Sequence, residues 1–455
     1  MAGQAELNRR TFLRNASLTA LAAASGGAAT TTYAAPGNST TRKRKYDFDE
    51  PYNRIGSDCY KWDKQIELFD NRKIVAAMGI ADMDFRTAPV ITKALLERMQ
   101  HENWGYAHVP PSFKESMITW NKRRYGVEIK PELLMTATGV NPALQSGLRA
   151  FAPPGSKVIL QAPTYSSFYT TITGAGCAVE ESPLKLVNGH YQMDFEDLER
   201  RIDHDTNVLI LCNPQNPTGN CWSRDDLMTL GEICERRRVV VFADEIHCDF
   251  VTRGNQYTPF ESLDNEAIVR NSVTFKSTSK SFNLAATKCA YLFSRNADYM
   301  ERIKRTGHNQ TVNTLGIIAS EVAYNEAEDW LDQVVAYIDD NMDYAAEYIE
   351  KHVPHVSFRK PEGTYLAWLD VSSLSDKIDA DKLAADANRS RESSMPVLHP
   401  EHMIERFLVE KAGVQINDGF RYGYGGGGRM RMNLATSRKL LQTALQNMSK
   451  ATSSV

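Results

Sequence analysis

No stretch of this 455-residue chain is long and apolar enough to span a membrane once a leader is set aside. Cysteine is sparse and unpatterned. The seven are Cys59, Cys177, Cys212, Cys221, Cys234, Cys248 and Cys289, an odd number with no Cys-x-x-Cys pair and no histidine at zinc-like spacing. A disulfide framework and a structural zinc site are both disfavoured, and no metal centre is expected. Charge of one sign is lacking too. The net charge is -3, and no run of like charges exceeds the short Arg42-Lys43-Arg44-Lys45 cluster. Nucleic acid is therefore not expected as the main partner. There is no internal repeat.

What is present suits a protein of two packed domains: 42% of residues are apolar and 24% charged, ordinary globular proportions. Residues 1–34 stand apart. Asn8-Arg9-Arg10-Thr11-Phe12-Leu13-Arg14 precedes a weakly apolar, Ala-rich stretch and the small-residue exit Thr32-Tyr33-Ala34. That layout is similar to a twin-arginine export signal, and it implies a periplasmic protein with no stable membrane association. Such export carries folded proteins, so the thiols need no pairing. Residues 35–88 read as an irregular segment contributing to a smaller domain and to a site entrance. Residues 89–325 alternate short apolar runs with helical patterns, the signature of a mostly parallel sheet flanked by helices. Residues 326–455 begin with a long amphipathic helix, Trp330 to Ile349 at helical spacing, and continue into a smaller α/β domain in which Val356 to Val371 and Arg429 to Leu434 read as strands. The polar segment 388–402 reads as an inserted loop or lid.

Three polar signatures follow three apolar runs. Cys212-Asn-Pro-Gln-Asn216-Pro-Thr-Gly219 closes Asn207 to Leu211, Ala243-Asp244-Glu-Ile-His247 closes Val239 to Phe242, and Ser277-Thr-Ser-Lys280 follows Ser272 to Phe275. Ligands of open α/β sheets bind outside the carboxyl ends of such strands. The ordered Asn, Asp and Lys resemble those of the fold-type I enzymes of pyridoxal 5′-phosphate.

That resemblance implies a role for each residue. Lys280 would be the Schiff-base lysine and proton shuttle, set in a short polar loop. Asp244 would keep the pyridine nitrogen protonated, and His247 adjoins it in the same motif. Asn216 would hold the phenolic oxygen, and Tyr165 would stack on the ring face. The glycine turn at Gly139, running through Val140 into an apolar helix, would offer backbone N–H groups to the phosphate. Ser277 would be a second phosphate ligand. Lys288 stands where the family usually has an arginine, a point charge in place of a bidentate fork. Arg431 would clamp the amino acid's α-carboxylate, with Arg429 in the same strand phase as its competitor, and Ile80 would line the substrate site. The glycine-rich run 423–428 precedes a strand-like run, so it is read as a hinge or close-approach loop and not as a nucleotide loop.

More narrowly, the chain resembles the MalY/PatB group of C–S lyases within the class I/II aminotransferases. The matching motifs are Ile80-Ala-Asp-Met-Asp-Phe85, Asp244-Glu-Ile-His247, Ser279-Lys-Ser-Phe-Asn283, Trp330-Leu331 with Tyr337 and Asn341, and Pro361-Glu-Gly-Thr-Tyr365. Gly105-Tyr106 matches a tyrosine that reaches a neighbouring subunit's phosphate, which implies a homodimer with shared sites. Gly79 replaces a usual tryptophan and is expected to widen or reshape that wall, and Leu434-Ala-Thr-Ser-Arg438 reads more like an aminotransferase ending. The implied reaction is β-elimination from cystathionine or a cysteine S-conjugate. Transamination and a non-catalytic binding role are the alternatives.

Overall fold

Strands such as Lys157–Ala162 and Val240–Asp244 are apolar on both faces, and a strand of that kind needs cover on both sides. The computed structural model describes residues 45–69, 74–306, 311–392 and 394–455, and it buries these strands at the centre of a seven-stranded sheet. Numbered along the chain, they are β1 (Leu134–Ala137), β2 (Lys157–Ala162), β3 (Ala178–Pro183), β4 (Thr206–Cys212), β5 (Val240–Asp244), β6 (Ser272–Lys276) and β7 (Ala290–Phe293). Their spatial order is β1-β7-β6-β5-β4-β2-β3. Only β7 runs against its neighbours; the other pairings are parallel. The fold is that of the fold-type I transferases, α/β with a mostly parallel sheet.

Five helices matter for the site: α1 (Pro111–Tyr125), α2 (Val140–Phe151), α3 (Thr278–Ser281), α4 (Glu328–His352) and α5 (Pro400–Ala412). Helix α2 lies close on the sheet because Gly147 has no side chain; a Cβ there would come within 2.7 Å of the Phe242 ring. Helix α4 buries Trp330, Val334, Ile338, Met342, Ala345 and Ile349 along one stripe. Each larger member contributes about 1.5–3 kcal/mol on burial. A second, antiparallel sheet holds β8 (Ser357–Phe358), β9 (Leu366–Asp370), β10 (Asn417–Asp418) and β11 (Arg429–Asn433) in the order β8-β9-β11-β10.

Four local readings need correction. The segment before residue 88 is not wholly irregular: it has a helix, Asp63–Leu68, and a short strand, Ala76–Ala77, that pairs in parallel with Val414–Gln415. The long helix starts at Glu328, after a separate helix Thr314–Glu326. The run 356–371 is two strands and not one. The segment 388–402 is shorter as a loop than expected, since Pro400 opens α5. Asn388 pins that loop, donating to Leu398 O at 2.8 Å and accepting from Leu398 N at 2.9 Å. All seven cysteines are free. Among the described residues no helix is long and apolar enough to cross a membrane. The paired arginines and the leader lie outside the described residues.

Candidate active site

The sheet register brings the three signatures together. Cys212 pairs with Asp244, and Asp244 pairs with Phe275, so β4, β5 and β6 end side by side. The chain leaves each strand into one of the three motifs, at the edge where an open sheet binds its ligands.

Lys280 sits not in a loop but in the one-turn helix α3, whose N-cap Ser277 accepts from Ser279 N at 2.9 Å. The Lys280 amine donates to Ala81 O at 2.6 Å. Burial, helped by the nearby Arg431 cation, pushes its pKa down to about 8, while Asp82 and Asp244 oppose that shift. Asp244 ends β5 fully buried, and its Oδ1 accepts from Ile246 N at 3.1 Å. Burial raises its carboxyl to about 7, against the pull of that N–H and of Lys280. His247 is buried beside them, with its ring 5.6 Å from that of Tyr365. Burial, then the Lys280 and Arg431 cations, hold it well below the usual histidine range, so it is neutral.

The two strand arginines have different surroundings, and Arg431 is the one bonded to another candidate. Its side chain is buried, with Nη1 donating to Asn216 Oδ1 at 3.1 Å and Nη2 to Gly79 O at 2.8 Å. Arg429 instead pairs with Asp370 at 3.1 Å. Asn216 is itself 3% exposed, and its loop is tied to the Tyr165 loop by Gln215, which donates to Gln161 O and Pro163 O. Tyr165 is half-buried, its ring edge-on to Phe168. Ile80 is also half-buried, and its carbonyl accepts from Asn433 at 2.7 Å.

Helix α2 begins at Val140 directly after Gly139, and no side chain caps that end. Its N–H groups and positive dipole end favour an anion. Ser277 Oγ donates to Cys289 O at 2.6 Å. Lys288 is exposed and lies two residues before Ala290, the residue that pairs with Ala137 at the end of β1. Tyr106 does not join the other candidates: it is fully exposed in its own chain.

Several motif residues prove to hold the frame. Asp82 pairs with Arg54 at 2.7 Å, and Asp84 with the fully buried Lys61 at 2.8 Å and with Trp62 at 3.0 Å. Asn341 and Arg438 are bonded at 2.7 Å, away from the chemistry. Gly79 does not open a wall, since a Cβ there would meet Asn417 Oδ1 at 2.3 Å and the Gln415 amide at 2.7 Å. Sequence reasoning missed the function of Tyr365, which donates to the same Ala81 carbonyl at 2.8 Å and was legible only as part of a motif.

These residues fit pyridoxal 5′-phosphate on structural grounds. A buried carboxylate that accepts from the Ile246 N–H suits a cationic ring nitrogen, and His247 Nδ1 and Arg431 Nε are buried with no partner among the described residues. A buried polar group of this kind costs free energy until it is matched.

The family described as Aminotransferase class I and II matches residues 73–448. Cystathionine beta-lyase PatB of Bacillus subtilis is 34% identical over 89% of this chain and 100% of its own length. Cystalysin of Treponema denticola, a structure containing pyridoxal 5′-phosphate, superposes with a TM-score of 0.81 at 28% identity, over 90% of this chain and 99% of that one. The pyridoxal-phosphate-bound C–S lyase of Staphylococcus hominis gives 0.79 at 29% identity, over 90% and 98%.

Proposed function

Because this chain belongs to the aminotransferase class I and II family, we propose that it is a pyridoxal 5′-phosphate-dependent carbon–sulfur β-lyase. The substrate would be cystathionine or a cysteine S-conjugate, and the products a thiol, pyruvate and ammonia. The reaction rests on one observation, the match to PatB along the whole of that protein's length. Transamination would use the same side chains.

Lys280, Asp244, Asn216, Tyr165, Gly139, Val140, Ser277 and Lys288 would hold the cofactor, with His247 beside them. When bound, its ring withdraws electrons from the substrate's Cα. Arg431 holds the α-carboxylate in a bidentate pair, exchanging its bond to Asn216 for one to substrate. That fixes the Cα–H towards Lys280. With a pKa of about 8, the amine is a competent base near neutral pH and removes the Cα proton. Asp244 keeps a proton on the ring nitrogen. The C–S bond then breaks with the thiol as leaving group, and water takes the remaining three-carbon fragment to pyruvate and ammonia. Release of pyruvate from cystathionine without an added keto acid tests the proposal. A strict requirement for a keto acid would show transamination instead.

Two further readings accompany it. The protein acts as a homodimer in which Tyr106, exposed in one chain, reaches the partner's cofactor phosphate; its exposure supports this. It is exported by the twin-arginine route to the periplasm, which the Arg9-Arg10 leader supports.

A further inference from the structure

We propose that Asp249 is a positioning residue for Lys280, setting where the lysine amine stands relative to Asp244. The inference rests on the reading of Lys280 as the cofactor lysine. Asp244 is the last residue of β5, and Asp249 lies on the short turn that follows it. The Asp249 carboxylate, with 2% of its side chain exposed, accepts from two hydroxyls, Tyr125 Oη on one oxygen and Ser281 Oγ on the other. Ser281 is the residue after Lys280 and the last of α3. Asp249 therefore joins the loop that carries the proposed ring-nitrogen partner to the turn that carries the proposed base.

The other side of Asp249 is also fixed. Arg124 Nε lies 3.5 Å from Asp249 Oδ1, and Arg124 Nη1 continues to Glu328 at 3.0 Å and Asp332 at 2.9 Å on the first turns of α4. Tyr125, which ends α1, lies under the Lys276 amine at 4.2 Å from its ring centroid. The carboxylate thus has α1 as an anchor independent of α3.

A buried ion pair is a poor way to gain stability, because apolar replacements are often as stable. It is a good way to fix one geometry, because each lone pair demands a partner in a set direction. Proton transfer is sensitive to that geometry, and a misplacement of about 1 Å can cost roughly a hundredfold in rate. The turn α3 has only four residues, too few to hold itself rigid.

Asp249→Asn and Ser281→Ala in the full-length holoenzyme test this. The readouts are visible circular dichroism per bound cofactor, which reports how the cofactor sits at Lys280, and the separate values of kcat and KM. Asp249→Asn should lower kcat roughly ten- to a hundredfold with KM within about twofold, and should reduce the dichroism per bound cofactor. Ser281→Ala should move both readouts in the same direction by less, and Ser281→Thr should restore them in part. Ser281→Ala removes one oxygen, so it decides the matter if Asp249→Asn does not fold. Unchanged dichroism and kcat in a folded variant would overturn the proposal, as would a loss confined to thermal stability. An unaltered protein with no visible cofactor band would instead sink the cofactor reading itself.

Discussion

Arg431, on the four-stranded sheet, donates to Asn216, on the loop that follows β4 of the seven-stranded sheet, at 3.1 Å between Nη1 and Oδ1. The Nη1 donor and the Oδ1 acceptor thereby satisfy each other. On the proposed roles, a substrate would displace this bond, and recognition of the α-carboxylate would be coupled to contact with the cofactor's phenolic oxygen. Arg431→Ala should lose about 1.5–3 kcal/mol of binding, roughly 10- to 150-fold in kcat/KM. Arg431→Lys should recover only part, having no fork. Steady-state kinetics on cystathionine check this, and a near-normal Arg431→Ala enzyme would return the role to Arg429.

Asp244→Asn should leave a protein that still takes up cofactor but turns over slowly. The amide keeps the volume of the carboxyl but cannot hold the ring nitrogen protonated, and the electron sink weakens. Loss on the order of 100-fold or more in kcat is expected. Near-wild-type turnover would mean another group fills that role.

The depressed pKa of Lys280 gives a signature in pH. Burial favours the neutral amine, so the fraction able to attack an aldehyde rises through a pH of about 8 and then levels. In apoprotein, the rate of pyridoxal 5′-phosphate capture, followed by absorbance, should climb roughly tenfold per pH unit below that point and flatten above it. A climb continuing past pH 10 would show an ordinary lysine. Lys280→Ala should show neither the absorbance nor any turnover.

The shared-site dimer predicts complementation. An inactive Lys280→Ala chain mixed with an inactive Tyr106→Ala chain should regain partial activity, since one hybrid site carries both native residues. No recovery in hybrids shown to have formed would leave Tyr106 as a surface aromatic.

The sequence made the site legible where a residue's chemistry and a strand end coincide. Asn216, Asp244 and Lys280 each follow an apolar run, and the parallel register aligns those ends. The sequence was ambiguous where strand phase alone was available: Arg429 and Arg431 point the same way, and only Asp370 beside one and Asn216 beside the other separates them. It misled at Gly79, because the residues that fill the missing side chain's place, Gln415 and Asn417, are more than 300 positions away. The frame roles of Asp82 and Asp84 were hidden for a related reason. Their partners Arg54 and Lys61 precede them in a segment with little periodicity, and a motif match does not say which of its members touch the chemistry.

The Ala81 carbonyl receives both Lys280 and Tyr365, and Asn433 bonds to Ile80 O and Asp82 O. A ribosome makes residue 81 well before residue 433. The segment around residue 81 cannot be clasped in this way until residue 433 has been synthesised, so a chain cut before that point lacks the clasp that holds Ala81 over the lysine.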